Sequence, residues 1–238
     1  MNNKTQNSSI LTLDDYFEAV KQNQTASINN KKPEYELLNR LDKCFITILE
    51  GWTNPKDLIS PLFFCRCHSA FRVACGNALA GQASDMCPQI RICLEYAGYA
   101  LHLYKNPNLV DVWVDRHENP KSMKLVKKEF QISSIKATIR GFDRHGEKVF
   151  DKLYNDAIDF GGHPNERSVT SNLIISNHDQ GKAFEQIYLH GDGISLDYGF
   201  KSLAQTGVCV LEIFQNIFKA RFELLGVRSE LLDLRKGL

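Results

Sequence analysis

The sequence lacks the local motifs that identify several large enzyme classes. It contains no Gly-x4-Gly-Lys-Ser/Thr, Gly-x-Gly-x2-Gly, Gly-x-Ser-x-Gly or His-Glu-x2-His pattern. Nucleotide hydrolysis on a P-loop, dinucleotide redox chemistry, serine hydrolysis and zincin-type proteolysis therefore have no local support.

A strong net charge, a long apolar run and a signal-peptide pattern are also missing. The 238 residues carry a formal charge of +1, so no overall field selects nucleic acids, membranes or acidic partners. No apolar run approaches the roughly 18 residues of a membrane span. The polar start, MNNKTQNSSI, has neither the basic nor the apolar region of a signal peptide. We therefore expect a cytoplasmic protein with no membrane partner.

Seven cysteines are present, but their spacing does not favour metal binding. The most metal-like run is Cys65-x-Cys67-His68, and on a helix its two cysteines diverge by about 200°. No second Cys or His pair completes a tetrahedral set. The cysteines are typical of small buried apolar side chains in a reducing compartment. We predict no metal and no cofactor.

The spacing of apolar residues predicts a mainly α fold. We expect a helical bundle of five to six main helices in a single domain, residues 33–238. A polar N-terminal segment with a short helix, residues 1–32, precedes it, and residues 23–33 form a polar linker. β-branched and aromatic residues around a turn predict a small β-hairpin insertion near residues 168–190. Apolar residues between Ile132 and Ala157 alternate steps of three and four, which predicts one continuous helix with a buried face.

The first candidate site is a polar stripe on an otherwise apolar helix. Arg91, Glu95 and His102 fall, together with Gly98, within roughly 60° of arc at about 100° per residue. A helix that is apolar on almost all sides is buried. The stripe therefore either faces solvent through a slot or lies inside the core, as a structural ion pair or as a binding site.

The second candidate site is the turn that follows the long helix, within residues 154–168. His163, Glu166 and Arg167 crowd a Pro-containing segment after two glycines. His163 is the candidate general base, since histidine commonly has that role near neutral pH. Arg167 would hold an anion, and Glu166 would orient either group. The alternative is a capped connection whose polar groups satisfy each other.

The third candidate is an Arg-x4-His match, Arg140 and His145, as catalytic residues, and a fourth is the basic segment around them. Arg140 and His145 lie about 140° apart on an unbroken helix, so they do not converge within one chain. Residues 116–152 hold ten basic and five acidic residues, an excess of five positive charges. Such a segment contacts RNA phosphates or is a solvated helix face.

Residues 90–116, IRICLEYAGYALHLYKNPNLVDVWVDR, resemble a helix found in a broad group of bacterial all-helical proteins of unknown function. In that group an Arg-x3-Glu helix is followed by a segment ending in Trp, and later by a Tyr…His-Pro turn. Tyr154, Asp159, His163 and Pro164 are similar to that turn. The resemblance implies that Tyr154 and Asp159 join Arg91, Glu95 and His102 as binding residues.

That group is similar in turn to the HEPN superfamily of helical bundles. HEPN proteins include metal-independent ribonucleases, toxins and phage-defence components, and they are commonly homodimers. The likeness implies a related role for this chain. Their hallmark is Arg-x4–6-His with a polar residue after the Arg, and Gly141 occupies that slot here. We expect an interaction or accessory protein in phage defence or stress. The alternatives are a metal-independent ribonuclease and a helical module that binds a small ligand.

Overall fold

The computed structural model describes residues 12–53, 58–178 and 181–238. Twelve α-helices and two strands lie in these ranges. The helices are α1 (Leu13–Asn30), α2 (Lys32–Leu49), α3 (Ile59–Leu79), α4 (Ala83–Lys105), α5 (Leu109–Val114), α6 (Pro120–Glu129), α7 (Ile132–Phe142), α8 (Arg144–Ala157), α9 (Glu166–Thr170), α10 (Ile194–Ile217), α11 (Lys219–Leu224) and α12 (Val227–Leu234). The strands are β1 (Leu173–His178) and β2 (Gly181–Gln186).

The mainly α prediction is confirmed, but the expected number of five to six main helices is wrong. The additional helices are short ones that begin at capping or turn residues. Asn119 caps α6 by accepting hydrogen bonds from Lys121 N at 2.9 Å and Ser122 N at 3.1 Å. Gly226, at φ 74°, separates α11 from α12. None of the helices in the described ranges is both long and apolar enough to cross a membrane.

Helix α4 is the centre of the packing. It packs against α3, α10, α7 and α8. Close approach of α7 depends on Gly98, where a Cβ atom would lie 2.5 Å from Ile135 Cγ2. The core around α4 is rich in fully buried phenylalanines: Phe45, Phe64, Phe71, Phe150, Phe200, Phe214 and Phe222.

The predicted continuous helix between Ile132 and Ala157 is wrong because Asp143 divides it. The backbone of Asp143 is extended, with φ −149° and ψ 112°, and its Oδ1 accepts a hydrogen bond from His145 N at 2.8 Å. Asp143 thus ends α7 and caps α8, and α7 and α8 pack against each other. The same apolar face continues across the break, so its periodicity gave no sign of the division.

The predicted polar linker at residues 23–33 is also wrong, because α1 continues to Asn30 and α2 begins at Lys32. Its polar side chains have partners at the end of α3. Asn23 Nδ2 donates to Ala80 O at 3.0 Å, and Gln24 Nε2 donates to Gly76 O at 3.2 Å. These bonds tie α1 to carbonyl groups at the C-terminal end of α3.

The hairpin prediction is confirmed within residues 168–190. Strands β1 and β2 are antiparallel, with Leu173 opposite Gln186 and Ile175 opposite Phe184. At the base, His190 N donates to Gly81 O at 2.8 Å. Gly81 has φ 79°, and a Cβ there would lie 2.0 Å from His190 O, so this close approach requires glycine. The base of the hairpin is therefore held at the corner between α3 and α4.

Candidate functional site

Arg91 and Glu95 form one polar cluster with Tyr154 across the interface between α4 and α8. Arg91 Nε donates to Glu95 Oε1 at 2.9 Å, and the Tyr154 hydroxyl donates to the same oxygen at 3.0 Å. The Arg91 guanidinium lies 5.5 Å from the centre of the Tyr154 ring. Burial, and then the nearby Glu95 carboxylate, raise the pKa of Tyr154. The phenol therefore stays protonated and is held as a donor at neutral pH.

Helix α7 adds a second cation to this cluster, and α8 supplies its counter-ion. Lys136 Nζ lies 5.7 Å from the centre of the Tyr154 ring and forms an ion pair with Asp151. Each positive charge around the phenol is thus matched by a carboxylate. The side chains of Arg91 and Glu95 retain 36% and 33% of their exposure, so the polar stripe reaches solvent here.

His102 lies apart from that cluster, in the core between α4 and α7. Its Nδ1 is 2.7 Å from Thr138 Oγ1, and its ring packs edge-on against Phe130. Its Nε2 is buried and has no hydrogen-bond partner among the described residues. Burial lowers the pKa of His102, so the ring is neutral in the folded protein at pH 7. The structure does not bring His102 together with Arg91 and Glu95.

The two glycines after α8 place the His163 turn against α4. A π-helical turn, Ile158–Gly162, ends α8. A Cβ on Gly161 would lie 2.0 Å from Ser84 O, and one on Gly162 would lie 3.8 Å from Arg91 Cδ. The residue before His163 therefore lies beside the side chain of Arg91. The structure makes the two predicted polar clusters neighbours.

The charged residues around the turn differ in whether they have a partner within the chain. Arg167 Nη1 pairs with Asp159 Oδ2 at 2.9 Å, and its guanidinium lies 5.8 Å from the centre of the Phe160 ring. Asn165 caps α9, accepting from Ser168 N at 2.9 Å and donating to Ile158 O at 3.2 Å. His163 is exposed, and Glu166 also faces solvent. Arg167 is thus tied to Asp159, which fixes the turn.

Two neighbouring clefts open at this turn. One, of about 320 Å³, is lined by Ser84, Asp85, Gly161, Gly162, His163, Pro164, Ser168, Val169 and Asn172. The other, of about 250 Å³, is more apolar and includes Cys87, Phe160, His190 and Tyr198. Ser84 and Asn172 line both clefts. Neither of the two is lined by Arg91, Glu95 or His102.

Arg140 and His145 do not form a joint site within the chain. Arg140 Nη2 pairs with Glu147 Oε1 at 2.8 Å, while His145 lies exposed in the first turn of α8. The rest of the basic segment, residues 116–152, is described throughout, and ion pairs there also involve Lys128, Lys136 and Lys152. Carboxylates therefore neutralise part of the local positive charge.

One polar cluster between α2 and α3 was missed in the sequence. Asp42 Oδ1 lies 2.6 Å from His68 Nε2 and accepts from Arg72 Nε at 2.7 Å, and Arg72 Nη2 donates to Asp42 Oδ2 at 2.9 Å. The His68 ring stacks on Phe45 with 4.9 Å between centres. Burial lowers the pKa of His68, against the opposing effect of Asp42. The i,i+4 spacing of His68 and Arg72 was the one sequence feature that could have indicated this cluster. Their shared partner, Asp42, lies 26 residues from His68 and 30 from Arg72 in the chain.

All seven cysteines are free thiols. Burial raises the pKa of Cys44 and of Cys87 to about 12, which keeps both protonated and poorly nucleophilic at neutral pH. Among the residues that the structure describes, no three His, Cys, Asp or Glu side chains are placed to hold a metal ion.

The chain was compared with protein-family models, with curated proteins and with solved structures, and none of the three comparisons finds a match. The geometry of the chain itself is therefore the basis for a functional argument. The resemblance to HEPN proteins stays a prediction.

Proposed function

We propose that this protein is an interaction or accessory protein whose contact element is the β1–β2 hairpin. The observation that carries the proposal is the exposure of apolar side chains on the hairpin. Ile175 is 61% exposed and Phe184 is 77% exposed, and the two lie opposite each other in the strand register. Tyr188, just after β2, is 61% exposed. Apolar side chains grouped on one projecting element are typical of a protein contact surface.

The pairing of the charged groups supports a binding role over a catalytic one. Arg91, Arg140 and Arg167 each face a carboxylate of the same chain at 2.9 Å or less. An arginine that stabilises a substrate anion would have to leave such a partner or share it. The resemblance to HEPN proteins suggests phage defence or stress as the setting of the interaction.

Photo-crosslinking at the hairpin tests the proposal directly. A benzophenone amino acid would replace Ile175 in one variant and, as a matched control, Leu224, which is 85% exposed on α11. Both variants would be expressed in the native host and irradiated. We expect a discrete adduct, identified by mass spectrometry, from position 175 and none from position 224. No adduct from 175, or the same adducts from both positions, would contradict the proposal.

A metal-independent ribonuclease is the second candidate, favoured by the location of His163. This histidine lines an open cleft and follows a glycine that lies beside Arg91. In this mechanism His163 takes the proton from a ribose 2′-hydroxyl as the oxygen attacks the adjacent phosphorus, and Arg91 stabilises the charge on the phosphate. The bond from phosphorus to the 5′-oxygen breaks, and that oxygen leaves with a proton from water, which gives a 2′,3′-cyclic phosphate and a 5′-hydroxyl. RNA would approach over the basic segment, residues 116–152.

Incubation with total RNA in EDTA tests this second candidate. His163→Ala and His145→Ala variants would be compared with the unmodified protein. Loss of cleavage in His163→Ala alone would support the mechanism. Absence of cleavage, or equal cleavage by all three proteins, would exclude it.

A further inference from the structure

The strand register determines which backbone groups of the hairpin point outward. Ile187 N donates to Asn172 O at 2.7 Å, so Asn172 and Ile187 form a hydrogen-bonded pair at the base. In an antiparallel ladder such pairs alternate with pairs that are not hydrogen-bonded to each other. The N–H and C=O groups of Leu173, Ile175 and Asn177 therefore point away from β2. Among the described residues these three make no backbone hydrogen bond outside the hairpin.

The outward edge of β1 lacks the charged residues and the proline that commonly prevent strand pairing. Native edge strands are commonly guarded by charged residues or proline. Strand β1 contains no Lys, Arg, Asp, Glu or Pro, whereas β2 contains Lys182 and Glu185. The outer edge of β1 is thus the edge that is open to pairing with a further strand.

The hairpin also receives little support from its own chain. Its strands pack extensively only with each other among the described elements. A lone two-stranded hairpin is marginally stable in water, and further strands or a covering helix stabilise it. An added strand at the β1 edge would supply that support.

We propose that the added strand is β1 of a second copy of this chain, paired antiparallel about a two-fold axis at Ile175. This inference rests on the proposed interaction function and names the partner. In this register Ile175 faces its own counterpart, and Leu173 faces Asn177 of the second copy. The outward groups of one strand then meet the complementary groups of an identical strand, as an isologous interface requires. Because β1 has no charged residue, self-pairing brings no like charges together.

The side chains of the hairpin suit the same arrangement. Ile175 and Phe184 are cross-strand partners, so their side chains lie on one face of the sheet. Pairing through β1 would produce a four-stranded sheet in the order β2-β1-β1-β2. Two isoleucines at the centre and two phenylalanines outside them would form one continuous apolar row. Each copy would thereby cover part of the exposed Ile175 side chain of the other.

The test measures the mass of the purified full-length protein by light scattering across a concentration series. We expect twice the monomer mass of 27.1 kDa for the unmodified chain. Ile175→Pro removes an outward N–H without removing a bond within the hairpin. Because the two-fold axis doubles that loss, the dimer should weaken about a hundredfold. Ile175→Lys should also give monomers, because it places two positive charges face to face.

Lys182→Pro is the matched control, since the register also directs its N–H outward, but from the β2 edge. It should leave the dimer intact, and circular dichroism would verify that every variant is folded. A monomeric unmodified protein at the highest concentration of the series, or a dimer that survives Ile175→Pro, would overturn the inference. If the purified chain is monomeric but position 175 crosslinks to a different protein, the interaction function stands and self-pairing fails. If position 175 gives no adduct at all, both proposals fail.

Discussion

Helix α4 and the β1–β2 hairpin contain similar apolar residues but place them in opposite surroundings. Leu94, Ala97 and Leu101 of α4 have no exposed surface, whereas Ile175 and Phe184 of the hairpin are mostly exposed. The helix is surrounded by other helices of its own chain, and the hairpin projects from the corner where it is anchored. The apolar residues of the helix are buried by their own chain, whereas those of the hairpin remain available to a partner. The apolar pattern of a strand alone does not show which of the two applies.

Truncating one phenylalanine in each region should give the largest difference. Phe214 is fully buried against Phe64, with 4.8 Å between ring centres, so Phe214→Ala should lower the free energy of unfolding by about 3–5 kcal/mol. Phe184→Ala should change the monomer by less than about 0.5 kcal/mol. Urea denaturation of both variants at low protein concentration would measure the difference. A large loss from Phe184→Ala would show that the hairpin belongs to the core of the chain.

Two glycines of the helical region, Gly98 and Gly76, lie in a crowded and an open position respectively. Gly98→Val should destabilise the protein by about 1–3 kcal/mol because the new Cβ would overlap Ile135 Cγ2. A Cβ atom added to Gly76, in α3, would meet no atom within 4 Å, so Gly76→Ala should stabilise by about 0.5–1 kcal/mol. Thermal unfolding of both variants would test this, and a neutral Gly98→Val would show that α7 moves freely relative to α4.

The buried His102 predicts how the core responds to acid. Burial lowers its pKa in the folded protein, while the unfolded chain titrates near about 6.5. The unfolded state therefore binds more protons below that pH, and the free energy of unfolding falls as the pH is lowered from about 7 to 5. His102→Gln should reduce that dependence by at most about 1.4 kcal/mol per pH unit.

Urea titrations at a series of pH values would measure this effect. His68 and His190 also have pKa values lowered by burial, so some dependence should persist in His102→Gln. Between about pH 7.5 and 8.5, where His102 is neutral in both states, the variant and the unmodified protein should show the same dependence. An unchanged dependence below pH 7 would contradict a buried neutral His102.

The mainly α fold was predictable because apolar residues recur at helical spacing through most of the chain. The division at Asp143 was not predictable from the sequence. The extended backbone of this capping aspartate ends one helix and begins the next, but the apolar face continues on both sides of it. Residues 23–30 are helical, and Asn23 and Gln24 find acceptors at the end of α3, 57 and 52 residues away. Local composition holds no information about such contacts.

The candidate sites show the same limit. An ion pair was one of the alternatives that the sequence left open for Arg91 and Glu95, and the structure contains that pair. Tyr154, which only the family resemblance associated with them, donates to the same Glu95 oxygen from 59 residues away. The helical stripe suggested that His102 joins Arg91 and Glu95. Instead, α7 packs against α4 at Gly98, and Thr138 of α7 forms a hydrogen bond with the His102 ring. The cluster of Asp42, His68 and Arg72 needed two helices to be placed before it could be recognised.

The bond between Asn172 and Ile187 closes the chain at the foot of the hairpin. The path of the polypeptide therefore leaves the helical body and returns to it at nearly the same point. A segment with adjacent ends can be shortened, lengthened or exchanged by insertion and deletion without changing how the helices connect. A change of length within the hairpin can therefore leave the connections of the helical scaffold intact.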